Sequence, residues 1–444
     1  MIDGLEAGER VVLSRSGWTC IVGRCLGETG LGRAYEVVVP GQPPTILALL
    51  WYRADLTTDA ERDALAALVA VGAPIARFSW PVDIAVSQHR PGFGYVTTLS
   101  TPGLVTMLDL RRRAVEVSWR VLARAGVELA GAFAGLHAHG LCYQSFDFAD
   151  VLVNPSDGSI ELLGWEQVTV VGAGTPPLHG TVGWMAPELS RGERAPDVAT
   201  DRHTLALFLF WLFVRHNPFA GAAEKRFDVL DEEAAHYLWV EHPVFIFDPE
   251  DGSNAPVPGE HANALTLWPL LPGFLRRLFT RAFTSGITDP DNGRVSENDW
   301  REALAWLRDL VFACPACGVE RVLDPEHPDA DGACPSCRAV NRPPLRLEIH
   351  GPGTNDVILV EPGVVLSEHH LHGRRFSYEQ HLAMVVAHPA DPRRLGLANR
   401  TEVAWQRKSG GTIRTVKPGQ TVALSPGVTI YFGTVTANVV APPA

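Results

Sequence analysis

Residues 141–152, Leu141-Cys142-Tyr143-Gln144-Ser145-Phe146-Asp147-Phe148-Ala149-Asp150-Val151-Leu152, decide how the rest of the chain is read. They form an apolar frame around isolated polar residues. Before them, a helical pattern runs from Val115 to His139 and closes on Leu136-His137-Ala138-His139-Gly140. After them, Ser156-Asp157-Gly158 signals a hairpin turn, and Ile160-Glu161-Leu162-Leu163 reads as a strand running into Gly164-Trp165-Glu166. Further out, WTCIVGRCLG (18–27), TILALLWYR (45–53) and GFGYVTTLS (92–100) are strand-like, whereas Leu205–Val214 and Trp300–Val311 are helical. The expected architecture over residues 1–311 is an α+β body.

The whole chain has 444 residues, 46% of them hydrophobic and 20% charged, with a net charge of −12. That is too apolar for disorder and too long for a single core. The longest apolar run, Leu205–Val214, is ten residues, half of what crosses a bilayer, so no membrane span is expected. Without clustered Lys and Arg on an acidic chain, nucleic-acid binding is not expected either. The opening, MIDGLEAGERVV, has no apolar core after a basic start. The expected compartment is therefore the cytoplasm, with reduced thiols.

Seven cysteines occur, and four of them form two CxxC pairs, Cys314/Cys317 and Cys334/Cys337, separated by sixteen residues. Each pair places two thiolates on one tight knuckle, and four thiolates satisfy tetrahedral zinc. With every position filled by protein sulfur, no site is left for water, so a structural zinc is expected over residues 312–342. In so small an insert the metal substitutes for a core, worth roughly 10–16 kcal/mol in finger peptides. Cys20, Cys25 and Cys142 read as small buried residues. From residue 343 to 444 the text turns β-rich: LRLEIHG, DVILV, LAMVVAH, TEVAWQ, TIRTVK, QTVALS and VTIYFG alternate with Gly, Pro, Asn and Asp. That spacing predicts an antiparallel sandwich.

The first 311 residues resemble a eukaryotic-type protein kinase domain, which implies a bilobal fold. Gly27-Glu28-Thr29-Gly30-Leu31-Gly32 resembles the loop that covers nucleotide phosphates, with Gly27, Gly30 and Gly32 as its remnants and Thr29 where a second glycine belongs. In the resemblance Leu50 stands at the lysine position. Glu61 is where the lysine's glutamate partner is sought, and it also completes a capping box with Thr58. Residues 141–152 resemble the catalytic loop: Ser145 replaces the base aspartate, Gln144 the arginine, and Asp150 the metal-binding asparagine. Gly164 replaces the aspartate of the metal-binding triplet. Phosphoryl transfer relies on those groups, and loss of a general base alone typically costs about 100- to 10,000-fold in rate. The architectural motifs persist in Gly180–Glu188, in Asp201-Arg202-His203, and in Glu188 and Arg294, which the resemblance implies to be a buried ion pair.

The expectation is therefore a pseudokinase, not an enzyme, acting as a scaffold or regulator through protein–protein contacts, with zinc bound and ATP and magnesium not expected. One alternative is an atypical active Ser/Thr kinase in which Asp147, Asp150 and Glu166 act as displaced carboxylates. Residues 343–444 resemble a forkhead-associated domain, chiefly through LGLANRTEVAW and TVKPGQTVALSPGVTIYFG. That implies a second alternative, a phosphothreonine-reading adaptor using Arg374, Arg375, Ser377 and Asn399. The same stretch has His369, His370 and His372, a histidine-rich loop to consider for metal. The order of kinase-like body, zinc ribbon and sandwich is similar to kinases of the bacterial tellurium-resistance-linked phosphorylation triad. It implies two partners: a von Willebrand-type protein and a PP2C-type serine/threonine phosphatase.

Overall fold

A computed structural model describes residues 4–41, 43–112, 114–172, 183–326, 333–340 and 343–442. The N-terminal strands β1 (Arg10–Leu13), β2 (Thr19–Glu28), β3 (Gly32–Val39), β4 (Thr45–Tyr52), β5 (Asp83–Ser87) and β6 (Phe93–Thr98) close into an antiparallel barrel in the order β1-β2-β3-β4-β6-β5. Period-2 alternation sorts β4 between two cores. Leu47, Leu49 and Trp51 fill the barrel, whereas Leu50 and Tyr52 face outward into the main core. Helix α1 (Asp59–Val71) packs on that outer face through Leu65 and Val69. It starts where Thr58 accepts the Glu61 N–H and Glu61 returns to the Thr58 N–H, a reciprocal cap.

Below the barrel come β7 (Val105–Thr106), α2 (Met107–Arg111), α3 (Trp119–Ala138), β8 (Leu141–Tyr143), β9 (Val151–Val153), β10 (Ile160–Leu162) and β11 (Val168–Val170). α3 begins at Trp119, not at Val115, because the Ser118 hydroxyl accepts the Val121 N–H and ends the extended entry there. A helical layer follows: α4 (Pro187–Ser190), α5 (Val198–Val214), α6 (Glu232–His236), α7 (Ala262–Leu267), α8 (Gly273–Phe283), α9 (Ser285–Thr288) and α10 (Glu297–Asp309). α5 is apolar on nearly every side and is buried along its length, as an encircled helix must be. α10 starts three residues before Trp300 because Ser296 and Asp299 cap it reciprocally.

The chain then makes a short hairpin, β12 (Val311–Ala313) with β13 (Glu320–Val322), whose turn carries Cys314 and Cys317, while Cys334 and Cys337 lie in a second turn closed by the Ala333–Val340 bridge. The remaining strands are β14 (Arg346–Gly351), β15 (Thr354–Leu359), β16 (Val365–Ser367), β17 (His381–His388), β18 (Asp391–Asn399), β19 (Trp405–Ser409), β20 (Thr412–Val416), β21 (Thr421–Ala423), β22 (Thr429–Tyr431) and β23 (Thr436–Val440), with the single turn α11 (Glu368–Leu371). They form antiparallel sheets β15-β14-β23-β22-β19-β20 and β16-β17-β18-β21 over a separate apolar core. The α+β character and the antiparallel C-terminal sheets match the expectation. Leu359 and Tyr378 leave the sandwich core and join the main one, so the two parts share packing. No helix among the described residues is long and apolar enough to cross a membrane.

Candidate functional site

The strip 141–152 is fixed from beneath. The buried Asp201 carboxylate at the start of α5 accepts the Tyr143 N–H at 3.1 Å, and the Gln144 N–H donates to the Gln167 carbonyl at 2.7 Å. Tyr143 and Phe146 anchor it in an aromatic cluster with Phe133 and Phe208. Ser145, half-buried, borders a cavity of about 10 Å3, room for one water. Asp147 accepts the Ala149 N–H at 2.8 Å, and Asp150 accepts the Asp147 N–H at 3.0 Å, so the two carboxylates cap one turn. Burial pushes the Asp150 carboxyl up to about 6.

Gly164 stands beside them in a left-handed conformation, φ 70°, and a Cβ there would meet the Asp150 carboxylate at 2.8–3.1 Å. A side chain at 164 and the carboxylate at 150 compete for one space. Glu166, whose carboxyl is raised by burial, accepts the Tyr95 hydroxyl at 2.5 Å. The Trp165 ring meets Tyr95 edge-on at 4.9 Å.

Tyr95 is also the cross-strand neighbour of Leu50, whose other neighbour is Ala34. Leu50 is buried, and Tyr52 closes the group against Phe93 and Tyr95 at 5.5 and 5.9 Å. Gly27, Gly30 and Gly32 lie at the β2–β3 turn. There the Thr29 hydroxyl accepts the Leu31 and Gly32 N–H groups at 3.2 Å, and Arg53 donates to the Gly30 carbonyl at 3.2 Å. At Gly32 a Cβ would collide with the Trp51 carbonyl oxygen at 2.0 Å, so close strand approach requires glycine. Glu61 is exposed and tied to its cap.

Glu188 and Arg294 are buried and paired at 2.7 Å, and Arg294 also donates to the Ala199 and Gly286 carbonyls. Of Gly180–Glu188, Gly180–Val182 lie outside the described residues. Three groups were not singled out in the sequence. His137 bridges Asp201 and Glu297 at 3.0 Å each, and Arg202 holds Glu297 at 2.7 Å. Arg111 is boxed by Phe148, Trp184 and Trp211 at 5.0–5.3 Å. Tyr95 is the third. Their partners are tens of residues away in sequence, beyond any local pattern.

The four cysteines converge. Cys314 and Cys337 Sγ stand 3.8 Å apart, Cys317 and Cys334 3.7 Å, and all four sulfurs lie within 4.8 Å of one another. A tetrahedron of about 2.3 Å Zn–S bonds has edges of about 3.8 Å. Both knuckles close alike: the Gly318 and Arg338 N–H groups donate to the Cys314 and Cys334 carbonyls at 2.8 and 2.9 Å, each from a positive φ, 76° and 61°. Backbone N–H groups of Cys337 and Ser336 lower the Cys334 thiol to about 6, whereas, against the Val319 N–H, burial and the neighbouring cysteines push the Cys317 thiol up to about 11. These residues can hold a zinc ion. Cys20 and Cys142 are buried, but Cys25 is exposed, a correction: it sits in β2 where the register with β3 shifts.

In the sandwich, Arg374 pairs with Glu368 at 2.9 Å, and Ser377 donates to the same carboxylate at 2.9 Å. Arg375 pairs with Asp356 at 2.9 Å and with Glu302 of α10. Asn399 is buried elsewhere; its oxygen accepts the Thr401 N–H at 2.9 Å and its amide donates to the Val403 carbonyl at 2.8 Å. Arg374 and Ser377 are thus brought together, around an acid of the chain itself. His369 and His370 lie buried beside Asp309 within metal-binding distance, whereas His372 is half exposed. Yet both Nδ1 atoms accept backbone N–H groups, from Phe376 at 2.9 Å and Ser367 at 3.0 Å. His370 Nε2 therefore carries the proton and donates it to Asp309 at 3.1 Å, while Arg375 stands against His369 Nε2 at 3.4 Å. A ligating histidine needs the opposite tautomer, so this cluster is a hydrogen-bonded junction.

No protein-family model matches the chain, and no curated protein matches it.

Proposed function

We propose that this chain is a pseudokinase: a bilobal kinase-like body that has kept its shape without phosphoryl transfer and acts as a scaffold or regulator for protein partners. The observation that carries the reading is the Leu50–Tyr95–Glu166 group. The position where the resemblance calls for a phosphate-binding lysine is an aliphatic residue packed on Tyr95, and the same tyrosine's hydroxyl occupies the Glu166 carboxylate. Phosphoryl transfer needs a cation on the phosphates, metal-bridging carboxylates and a base near the hydroxyl. Ser145 is too weak a base, and Gly164 has no carboxylate.

Displaced-carboxylate catalysis finds little support. Asp147 and Asp150 cap their own turn, and among the described residues Asp147, Asp150 and Glu166 do not form a group within reach of one ion. Phosphothreonine reading is likewise poorly served, since Arg375 is engaged by two acids and Asn399 holds an internal turn. The zinc is read as structural, because four thiolates leave no open coordination position. Its hairpin joins the parts of the chain: the Glu361 carboxylate accepts the Ala313 N–H at 2.9 Å, and Glu320 accepts the Trp119 N–H at 2.5 Å. The partners are proposed to be a von Willebrand-type protein and a PP2C-type phosphatase, on the resemblance alone.

The test is phosphate transfer from labelled ATP, by the zinc-loaded chain, to itself and to a generic basic protein. No transfer above the level of an Asp147→Asn, Asp150→Asn, Glu166→Gln triple variant is expected. Transfer abolished in that variant would establish the atypical kinase.

A further inference from the structure

Behind the 141–167 strip lies a cavity of about 260 Å3 built by both parts of the chain. Residues 75–77, α3 and β10 supply most of the wall, α10 contributes Arg301, and the sandwich contributes Phe376. The Arg301 guanidinium carbon stands 3.9 Å from the centre of the Phe376 ring. On its other side, a Cβ at Gly131 would lie 3.3–3.4 Å from Nε, Cζ and Nη2. The planar group is thus held flat between an aromatic face and bare backbone, with its edge free to meet a planar anion.

Arg301 Nε is buried without a hydrogen-bond partner, and no hydrogen bond or ion pair joins this residue to any described one. The other cation of the lining, Arg77, is paired with Glu379 at 3.1 Å. Glu128 Oε1 also lacks a hydrogen bond, its nearest cation being Arg124 Nε, poorly aligned at 3.5 Å. Orphaned polar atoms of this kind are rare in folded chains and call for an explanation. Phe376 is itself held at φ 65°, a conformation that bulky residues avoid, by donating its N–H to His369.

We propose that this cavity binds a small carboxylate with an apolar body, the carboxylate on the edge of Arg301 and the body among Ile75, Val127, Ile160 and Leu162. Arg301 makes no hydrogen bond to any described residue, and Glu128 on the same wall, which acts on it through space, penalises a dianionic phosphate more than a carboxylate of single charge. Because Phe376 belongs to the sandwich and Arg301 to the helical body, a bound carboxylate tightens their junction. The inference does not depend on the pseudokinase reading.

The full zinc-loaded chain is titrated calorimetrically and melted with octanoate and benzoate, against 1-octanol and inorganic phosphate. At least one carboxylate binds and raises the melting midpoint, and 1-octanol and phosphate do not. Arg301→Gln weakens that binding by about tenfold or more, the loss of a charge-assisted hydrogen bond. Ala132→Leu, which fills the cavity and keeps Arg301, abolishes it. Arg301→Lys, in place of the glutamine variant should that one not fold, binds more weakly than the parent. Octanol binding as tightly as octanoate, phosphate binding in preference to either carboxylate, no carboxylate binding, or affinity unchanged in the variants would each overturn the proposal.

Discussion

In the proposed pseudokinase, Leu50 is the side chain that takes the place of the phosphate-binding lysine. It is buried between Ala34 and Tyr95 and packs into the main apolar core. Leu50→Lys is therefore expected to destabilise the chain by about 2–4 kcal/mol, read from urea midpoints, and to restore no phosphate transfer. Tyr95→Phe leaves Glu166 buried without its donor and should cost about 1–3 kcal/mol; pairing it with Glu166→Leu should recover part of that loss. His137 gives a pH signature. Burial works against its charge, but Asp201 and Glu297 outweigh it and raise the imidazole from 6.5 to about 9. A folded pKa above the unfolded one stabilises fully below pH 6.5, and that stability is lost as pH rises through about 9. The stability gap between the parent and His137→Gln should thus be widest near pH 6 and shrink toward pH 9.5, by about 2–3 kcal/mol. A pH-independent gap would mean that His137 is neutral in the fold.

At the scale of elements, the cysteine hairpin is the one most dependent on a ligand. Chelation, or Cys334→Ser, should melt it, loosen its contacts at Trp119 and Glu361, and lower the melting midpoint of the whole chain. Zinc content of about one per chain by atomic absorption, lost in the serine variant, checks this. This site was legible in the sequence because its ligands are local, with two residues between the cysteines of each knuckle. Caps were legible too where both partners lie within three residues, as for Thr58 and Glu61. The same spacing was overlooked at two other helix starts: Ser118, bonded to Val121, cut the α3 entry short, and Ser296, boxed with Asp299, extended α10 backward. In the sandwich, TEVAWQ reads as a strand, yet Asn399 folds residues 399–403 into a turn and β19 starts only at Trp405. β16, β18 and β23 were missed because their apolar residues are short or broken by polar ones, and pairing supplies their order.

For the molecule as a whole, α10 is the hinge pin between body and sandwich. Its end, Asp309, takes hydrogen bonds from His370 and Arg308, while Glu302 reaches Arg375. No sequence pattern joins residues so far apart, so the arginines of the sandwich read as ligand-binding groups when considered alone. In the fold they meet acids of the chain itself. His370→Ala leaves the buried Asp309 short of one donor and should cost about 2–4 kcal/mol. Amide exchange should quicken in β15 and the last turn of α10 before it does in the barrel; uniform quickening would show that the junction does not unlock on its own.

The central claim is a kinase-like cleft filled by the chain's own side chains. It is tested most directly by thermal unfolding of the zinc-loaded chain with ATP, with and without magnesium. A ligand at about 100 times its dissociation constant adds about 2.7 kcal/mol of stability. The account predicts no change in the unfolding midpoint under either condition. A magnesium-dependent rise would contradict it, showing that Asp147, Asp150 or Glu166 still gathers a metal–nucleotide complex.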